Sequence, residues 1–137
     1  MNQFANETIC EQLFYDFRGI LTWKWDDWVG TFLAEFNIDK ESDVRTILEK
    51  HLPVLWDSSS INKAPKVVQE LDEHLGGLRP TQYLFCSDPS DEVFVFCAWW
   101  PWGNGSTVSL RVALYNKSIS KLEEDILKRQ LMVLAGT

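Results

Sequence analysis

An unbroken apolar segment, Val93 to Trp100, most constrains what this chain can fold into. It is eight residues long and rich in β-branched and aromatic types, which is typical of a strand buried on both faces. Pro101 to Gly105 follow, and the Gly-Asn-Gly sequence within them predicts a two-residue hairpin turn. The fold must therefore place structure on both sides of this strand.

Two further apolar segments, at about 82–87 and 107–115, predict an antiparallel β-meander over residues 81–116. With a four-residue loop at Asp88–Asp91 and a two-residue turn at the tip, alternation assigns the side chains to two faces. The aliphatic face holds Leu84, Val93, Val95, Cys97, Trp99, Val108, Leu110, Val112 and Leu114. The aromatic face holds Tyr83, Phe85, Phe94, Phe96, Ala98, Trp100, Ser109, Arg111, Ala113 and Tyr115.

Helices are predicted on either side of the meander. In residues 1–78, four segments carry apolar residues at helical spacing: one capped by Asn6, one from Asp26 to Phe36, one from Asp39 or Ser42, and one from Pro65. The alternation of Trp23, Trp25 and Asp27 leaves open a short strand there. A Ser-x-x-Glu capping box at Ser120 and Glu123 begins a C-terminal helix over residues 120–135. We predict one α+β domain over residues 1–137, with N-terminal helices, a three-stranded antiparallel β-meander and a C-terminal helix.

The charge distribution limits the classes of partner. The net charge is −7, and residues 1–62 carry 11 acidic against 5 basic side chains. Nucleic acids and anionic membranes require clustered Lys and Arg, which the chain lacks. The charge favours a partner with a basic surface.

The sequence contains no recognisable catalytic or cofactor motif. His51 and His74 lack metal-ligand spacing, and no glycine-rich phosphate loop follows a strand. Cys10, Cys86 and Cys97 stand among apolar residues and indicate buried free thiols in a reducing compartment. With no secretory signal or membrane span at hand, we expect a cytoplasmic protein that is not an enzyme and needs no cofactor.

The seven tryptophans are the main indication of function. Trp28, Trp56 and Trp99 suit core positions, whereas tryptophans beside acids or in a hairpin tip are typical of protein interfaces. Arg111 is the single cation on the predicted aromatic face, where we expect it to stack on Phe96 or Trp100 and, if helices cover that face, to reach an acid such as Asp26. The candidate partner-binding residues are Trp23, Trp25, Asp26, Asp27, Trp100, Trp102, Asn104 and Arg111.

A small, acidic, tryptophan-rich α+β domain of this kind resembles the immunity proteins of bacterial toxin systems, including contact-dependent growth inhibition. The resemblance is one of overall type. It implies a protein that binds a cognate toxin, often a basic nuclease domain, and blocks its active site or substrate surface. The acids would steer the encounter and mimic phosphate, and the aromatic side chains would anchor the contact.

Two other hypotheses remain open from the sequence. In the first hypothesis, the aromatic face is the floor of a small-molecule or carbohydrate site. The pocket would be lined by Phe94, Phe96, Trp100 and Arg111. In the second, the same face joins two copies of an accessory protein in a homodimer.

Overall fold

The computed structural model describes residues 3–27, 30–116, 121–122 and 124–134. It shows an antiparallel sheet with strand order β1-β2-β6-β5-β4-β3, and β7 pairs with the end of β6. The strands are β1 (Lys24–Asp26), β2 (Thr31–Asn37), β3 (Val54–Asp57), β4 (Tyr83–Cys86), β5 (Val93–Pro101), β6 (Thr107–Asn116) and β7 (Lys121–Leu122). The helices are α1 (Gln3–Asp16), α2 (Glu41–His51), α3 (Lys66–His74) and α4 (Glu124–Leu134).

The predicted central strand is confirmed. Phe94 to Trp99 are all buried, and β5 pairs with β6 along its whole length. The pairs Trp99–Leu110 and Trp100–Ser109 show that the predicted faces of β5 and β6 are correct. The tip differs in detail, because four residues, Gly103 to Ser106, separate Trp102 from Thr107, whose carbonyl accepts the Trp102 N–H at 2.8 Å. A tip of four residues pairs odd-numbered residues of one strand with even-numbered residues of the other, as a tip of two does, so each side chain stays on its predicted face.

The predicted α+β class holds, but the three-stranded meander is wrong because β1, β2, β3 and β7 extend the sheet. The helix expected from Asp26 to Phe36 is instead part of a hairpin in which Trp25 pairs with Phe32. Gly30, with φ of 68°, lies in the turn, and its N–H donates to the Asp26 carbonyl at 3.0 Å. The short strand left open at Trp23–Asp27 is therefore the correct alternative.

Three face assignments, all on β4, and one segment boundary also change. Cys86 pairs with Phe96, and the odd number of residues between them places Phe85 beside Cys97 on the aliphatic face. Tyr83 joins it there, and Leu84 moves to the aromatic face. At the C-terminus, Leu122 is paired in β7 with Tyr115 instead of opening a helix. The capping box predicted at Ser120 and Glu123 lies outside the described residues.

The helices cover both faces of the sheet. Phe14 of α1 packs edge-on against Phe32, and Arg45 of α2 stacks on Phe85, so both helices lie on the aliphatic face. α1 begins at Gln3, ahead of the cap predicted at Asn6. The segment that follows α3, from Leu75 to Gln82, lines a pocket with Trp100 on the aromatic face. Among the described residues, no helix combines the length and apolar character needed to cross a bilayer.

Candidate functional site

The hairpin tip between β5 and β6 is ordered by its own hydrogen bonds. The Asn104 side-chain oxygen accepts the backbone N–H groups of Ser106 at 2.9 Å and Thr107 at 3.1 Å. Gly105 closes the turn with a φ of 74°, a conformation that suits glycine. The predicted site residue Asn104 is exposed, but its carboxamide oxygen holds the turn.

Trp102 is the most exposed tryptophan whose side chain the structure describes. Trp102 is 45% exposed, and its Nε1–H donates to the Ser109 hydroxyl at 2.7 Å. Ser109 itself is buried in β6. Because this hydrogen bond fixes the indole against the sheet, an apolar surface is presented to solvent in one orientation. A side chain ordered in advance loses less entropy when a partner binds.

Arg111 and Asp26, two of the predicted site residues, form an ion pair beside Trp100. The Arg111 guanidinium donates to the Asp26 carboxylate at 2.7 Å and to the Thr31 hydroxyl at 3.3 Å. It also lies over the Trp100 ring, 5.2 Å from the ring centroid. The expected stacking on Trp100 and pairing with Asp26 are both found. The side chains are 11% and 21% exposed, so the pair is largely shielded from water.

Acidic side chains of β2 and the segment after it border the tip. Glu35 pairs with Ser109 across the β2–β6 ladder and is exposed. The Ile38 N–H donates to the Ser106 carbonyl at 2.8 Å, which holds the start of α2 beside the hairpin. The exposed acids of this border are Glu35 on β2 and Asp39 in the segment that follows it. We call Glu35, Trp102 and Ser109, with their neighbours Trp100 and Arg111, the Trp102 surface.

Trp23 and Trp25 are not part of the Trp102 surface. Trp25 lies on the aliphatic face, where it packs on Phe32 and beneath the Lys128 ammonium, 5.5 Å from its ring. Its Nε1–H donates to the carboxylate of Asp27, an exposed turn residue. Trp23 packs edge-on against Phe14 at 5.1 Å. The sheet separates these two tryptophans from Trp100 and Trp102, which the sequence grouped with them.

The aromatic face does not provide the pocket considered as an alternative. Phe94 and Phe96 are 0% exposed, so neither can be the floor of an open sugar or ligand site. The same burial leaves these two rings unable to meet a second copy of the chain. Trp100 instead borders a shallow pocket of about 260 Å³ with Leu75, Gly76, Gly77, Arg79 and Gln82.

A second cluster of ionisable groups joins the ends of α1 and α2. Asp16 accepts hydrogen bonds from His51 Nε2 at 2.6 Å and Lys50 Nζ at 3.3 Å, at the edge of a groove of about 280 Å³. The His51 hydrogen bond lowers the pKa of Asp16, against a smaller opposing effect of desolvation. The groove contains no hydroxyl or thiol nucleophile other than the Tyr15 phenol. This cluster therefore links the end of α1 to the end of α2.

The described residues contain no group of three or more side chains suited to a metal ion. Cys10, Cys86 and Cys97 are buried and free, as predicted. Burial raises the pKa of the Cys86 and Cys97 thiols far above the ordinary value, which makes them poor nucleophiles.

Of the predicted site residues, the structure brings together Asp26, Trp100, Trp102 and Arg111. Glu35 was missed because it falls within the segment interpreted as a helix. The alternation of Phe32, Ala34 and Phe36 was the signal that places Glu35 on the opposite face of a strand. Comparisons of the chain with known protein families, curated proteins and solved structures found no match.

Proposed function

We propose that this protein is an immunity-type inhibitor that binds a cognate bacterial toxin with a basic surface and blocks the toxin's active site or substrate surface. The observation that carries the proposal is the Trp102 surface: an exposed indole, fixed by Ser109 and bordered by acids. The resemblance to immunity proteins of contact-dependent growth inhibition supports the same function.

The physical roles of the two kinds of side chain are different. Exposed Trp102 supplies apolar area, and indoles are frequent hot spots of protein interfaces. The acids and the net charge of −7 attract a basic protein and increase its association rate, an effect that salt screens. Free thiols at Cys10, Cys86 and Cys97 suit the reducing cytoplasm, where an immunity protein meets an incoming toxin.

A growth assay tests the proposal. The product of the gene adjacent to this one is expressed from an inducible promoter, alone or together with this protein. We expect growth arrest in the first case and restored growth in the second, with the two proteins eluting as one stoichiometric complex.

The control is an unrelated acidic protein of similar size and net charge, which we expect to leave growth arrested. A toxin that arrests growth equally in the presence of this protein contradicts the proposal, and so does rescue by the control.

A further inference from the structure

The chain contains its own example of how this sheet binds a guanidinium group. Arg111 on β6 lies between an indole from β5 and a carboxylate from β1: it stacks over Trp100 at 5.2 Å and pairs with Asp26 at 2.7 Å. Stacking and charge pairing are the two interactions that the planar, delocalised guanidinium makes best. The aromatic face thus binds one arginine from within the chain.

A similar arrangement without the cation lies one position nearer the hairpin tip. Two residues before Arg111, β6 presents Ser109 on the same face, flanked by Trp102, which directly follows β5, and by Glu35 from β2. Residues paired across an antiparallel ladder have Cβ atoms about 5 Å apart, so the Glu35 side chain leaves the sheet close to the Ser109 hydroxyl. The side chain of Ser109 is short and uncharged, and it supplies no cation.

The cations near this position include Lys24, which lies opposite Leu33 on β1 and on the same face of the sheet as Glu35. Within the part of the chain that the structure describes, the Glu35 side chain makes no hydrogen bond or ion pair. Arg111 is directed to Asp26, and the Lys40 ammonium donates to the Ile20 carbonyl at 3.3 Å. Asp39 is exposed in the segment that follows β2, next to Ile38, whose N–H donates to the Ser106 carbonyl of the hairpin tip, and it adds negative charge there.

We propose that Trp102 and Glu35 form a subsite for one arginine side chain of the protein partner, with the guanidinium against the indole and paired with the carboxylate. The inference rests on the proposed function and specifies the chemistry of the partner at the Trp102 surface. Arginine is favoured over lysine because its planar group can stack and donate two hydrogen bonds at once. One such contact is weak alone, so the surrounding interface must supply most of the affinity.

The test uses N-acetyl-arginine amide as a probe, with the isosteric but uncharged N-acetyl-citrulline amide as its control. Both are titrated into the ¹⁵N-labelled full-length protein, and the indole N–H resonances are followed by NMR. The Trp102 signal is assigned from its loss in Trp102→Phe. We expect a saturable shift of that signal with the arginine probe, reduced at high salt, and no saturable shift with citrulline.

Two charge-matched variants locate the subsite. Glu35→Gln removes the proposed carboxylate, and Glu92→Gln removes an exposed carboxylate at the opposite end of the β5–β6 hairpin. We expect Glu35→Gln to weaken the arginine affinity about three- to fivefold, because it removes a partly exposed ion pair. We expect Glu92→Gln to leave the affinity within about a factor of 1.5, because the charge that it removes is distant from the subsite. Thermal unfolding of both variants shows that the fold is retained.

Equal responses to arginine and citrulline, or equal losses in the two variants, overturn the subsite. These outcomes are distinct from failure of the proposed function. If the Trp102→Phe/Glu35→Gln double variant still rescues growth as the parent does, the arginine subsite is contradicted and the inhibitor function stands. If the arginine subsite is confirmed but the parent does not rescue growth, the inhibitor function is contradicted and the subsite stands.

Discussion

At the scale of single residues, the contact between Arg111 and Asp26 joins parts of the chain that are far apart in sequence. Asp26 belongs to the edge strand β1, and Arg111 belongs to the central strand β6. The side chains of Arg111 and Asp26 are 11% and 21% exposed. Because burial removes most of the water around them, each charge is stabilised mainly by the other. This contact therefore fixes the edge of the sheet beside the Trp102 surface.

Replacing Asp26 with Asn should destabilise the protein by about 2 kcal/mol, somewhat less than the cost of removing one partner of a fully buried pair. Urea unfolding measures the change. The control is Glu49→Gln, which removes the Arg45–Glu49 pair, where the side chains are 33% and 56% exposed. We expect that control to cost about 0.5 kcal/mol or less. Similar losses in the two variants would show that Arg111 does not need Asp26.

The sequence predicted the environment of Arg111 better than that of the other candidate residues. A single cation on an aromatic strand face can be stabilised only by stacking on a ring or by pairing with an acid. The contacts of Arg111 with Trp100 and Asp26 could therefore both be predicted. Trp23 and Trp25 were different, because their nearness in sequence to Asp26 gave no information about the side of the sheet. Strand alternation places Trp25 and Asp26 on opposite faces.

At the scale of elements, the segment around Phe32 and Phe36 shows why part of the fold was predicted incorrectly. Residues four apart share one face of a helix and also one face of a strand, so this spacing alone cannot separate the two. Tertiary pairing decides, and Phe32 and Phe36 lie opposite Val112 and Val108 of β6. The segments of α2 and α3 also carry apolar residues at helical spacing, and they were predicted correctly as helices.

The Gly30→Ala variant distinguishes the hairpin from the helix. In a helix, alanine would stabilise this position by about 1 kcal/mol relative to glycine. In the observed turn φ is 68°, so we expect destabilisation of about 1 to 2 kcal/mol.

Urea unfolding gives the sign of that change. Gly103→Ala is the matched control, because Gly103 has no positive φ and an added Cβ would meet no atom within 4 Å. We expect it to stay within about 0.5 kcal/mol of the parent. A more stable Gly30→Ala protein would contradict the hairpin.

At the scale of the whole molecule, stability should fall in acid partly through the α1–α2 junction. The His51 hydrogen bond is the largest cause that lowers the pKa of Asp16 from its ordinary value of 3.8, and Lys50 adds to it. Because the folded state holds this proton less tightly than the unfolded state, the contribution is complete above about pH 4 and is lost as the pH falls through the lowered pKa.

Urea midpoints measured from pH 7 down to pH 3 test this dependence. We expect Asp16→Asn to be less stable than the parent at pH 7 and to lose less stability on acidification. A residual acid dependence should remain, because hydrogen bonds from Ser59 and Ser60 lower the pKa of Asp57. Parallel curves for the parent and Asp16→Asn would exclude the junction as a source of acid sensitivity.

The position of Trp102 has a consequence for turnover in the cell. The indole is hydrogen-bonded to β6, which forms the longest ladder of the sheet with β5, and such central strands open only in global unfolding. A partner that binds there binds only the folded state, so its binding raises the free energy of unfolding. Because proteases cleave the unfolded state, a higher free energy of unfolding slows degradation. Under the proposed function, free protein would then be degraded faster than complexed protein, and the cellular amount of this protein would follow the amount of the proposed partner.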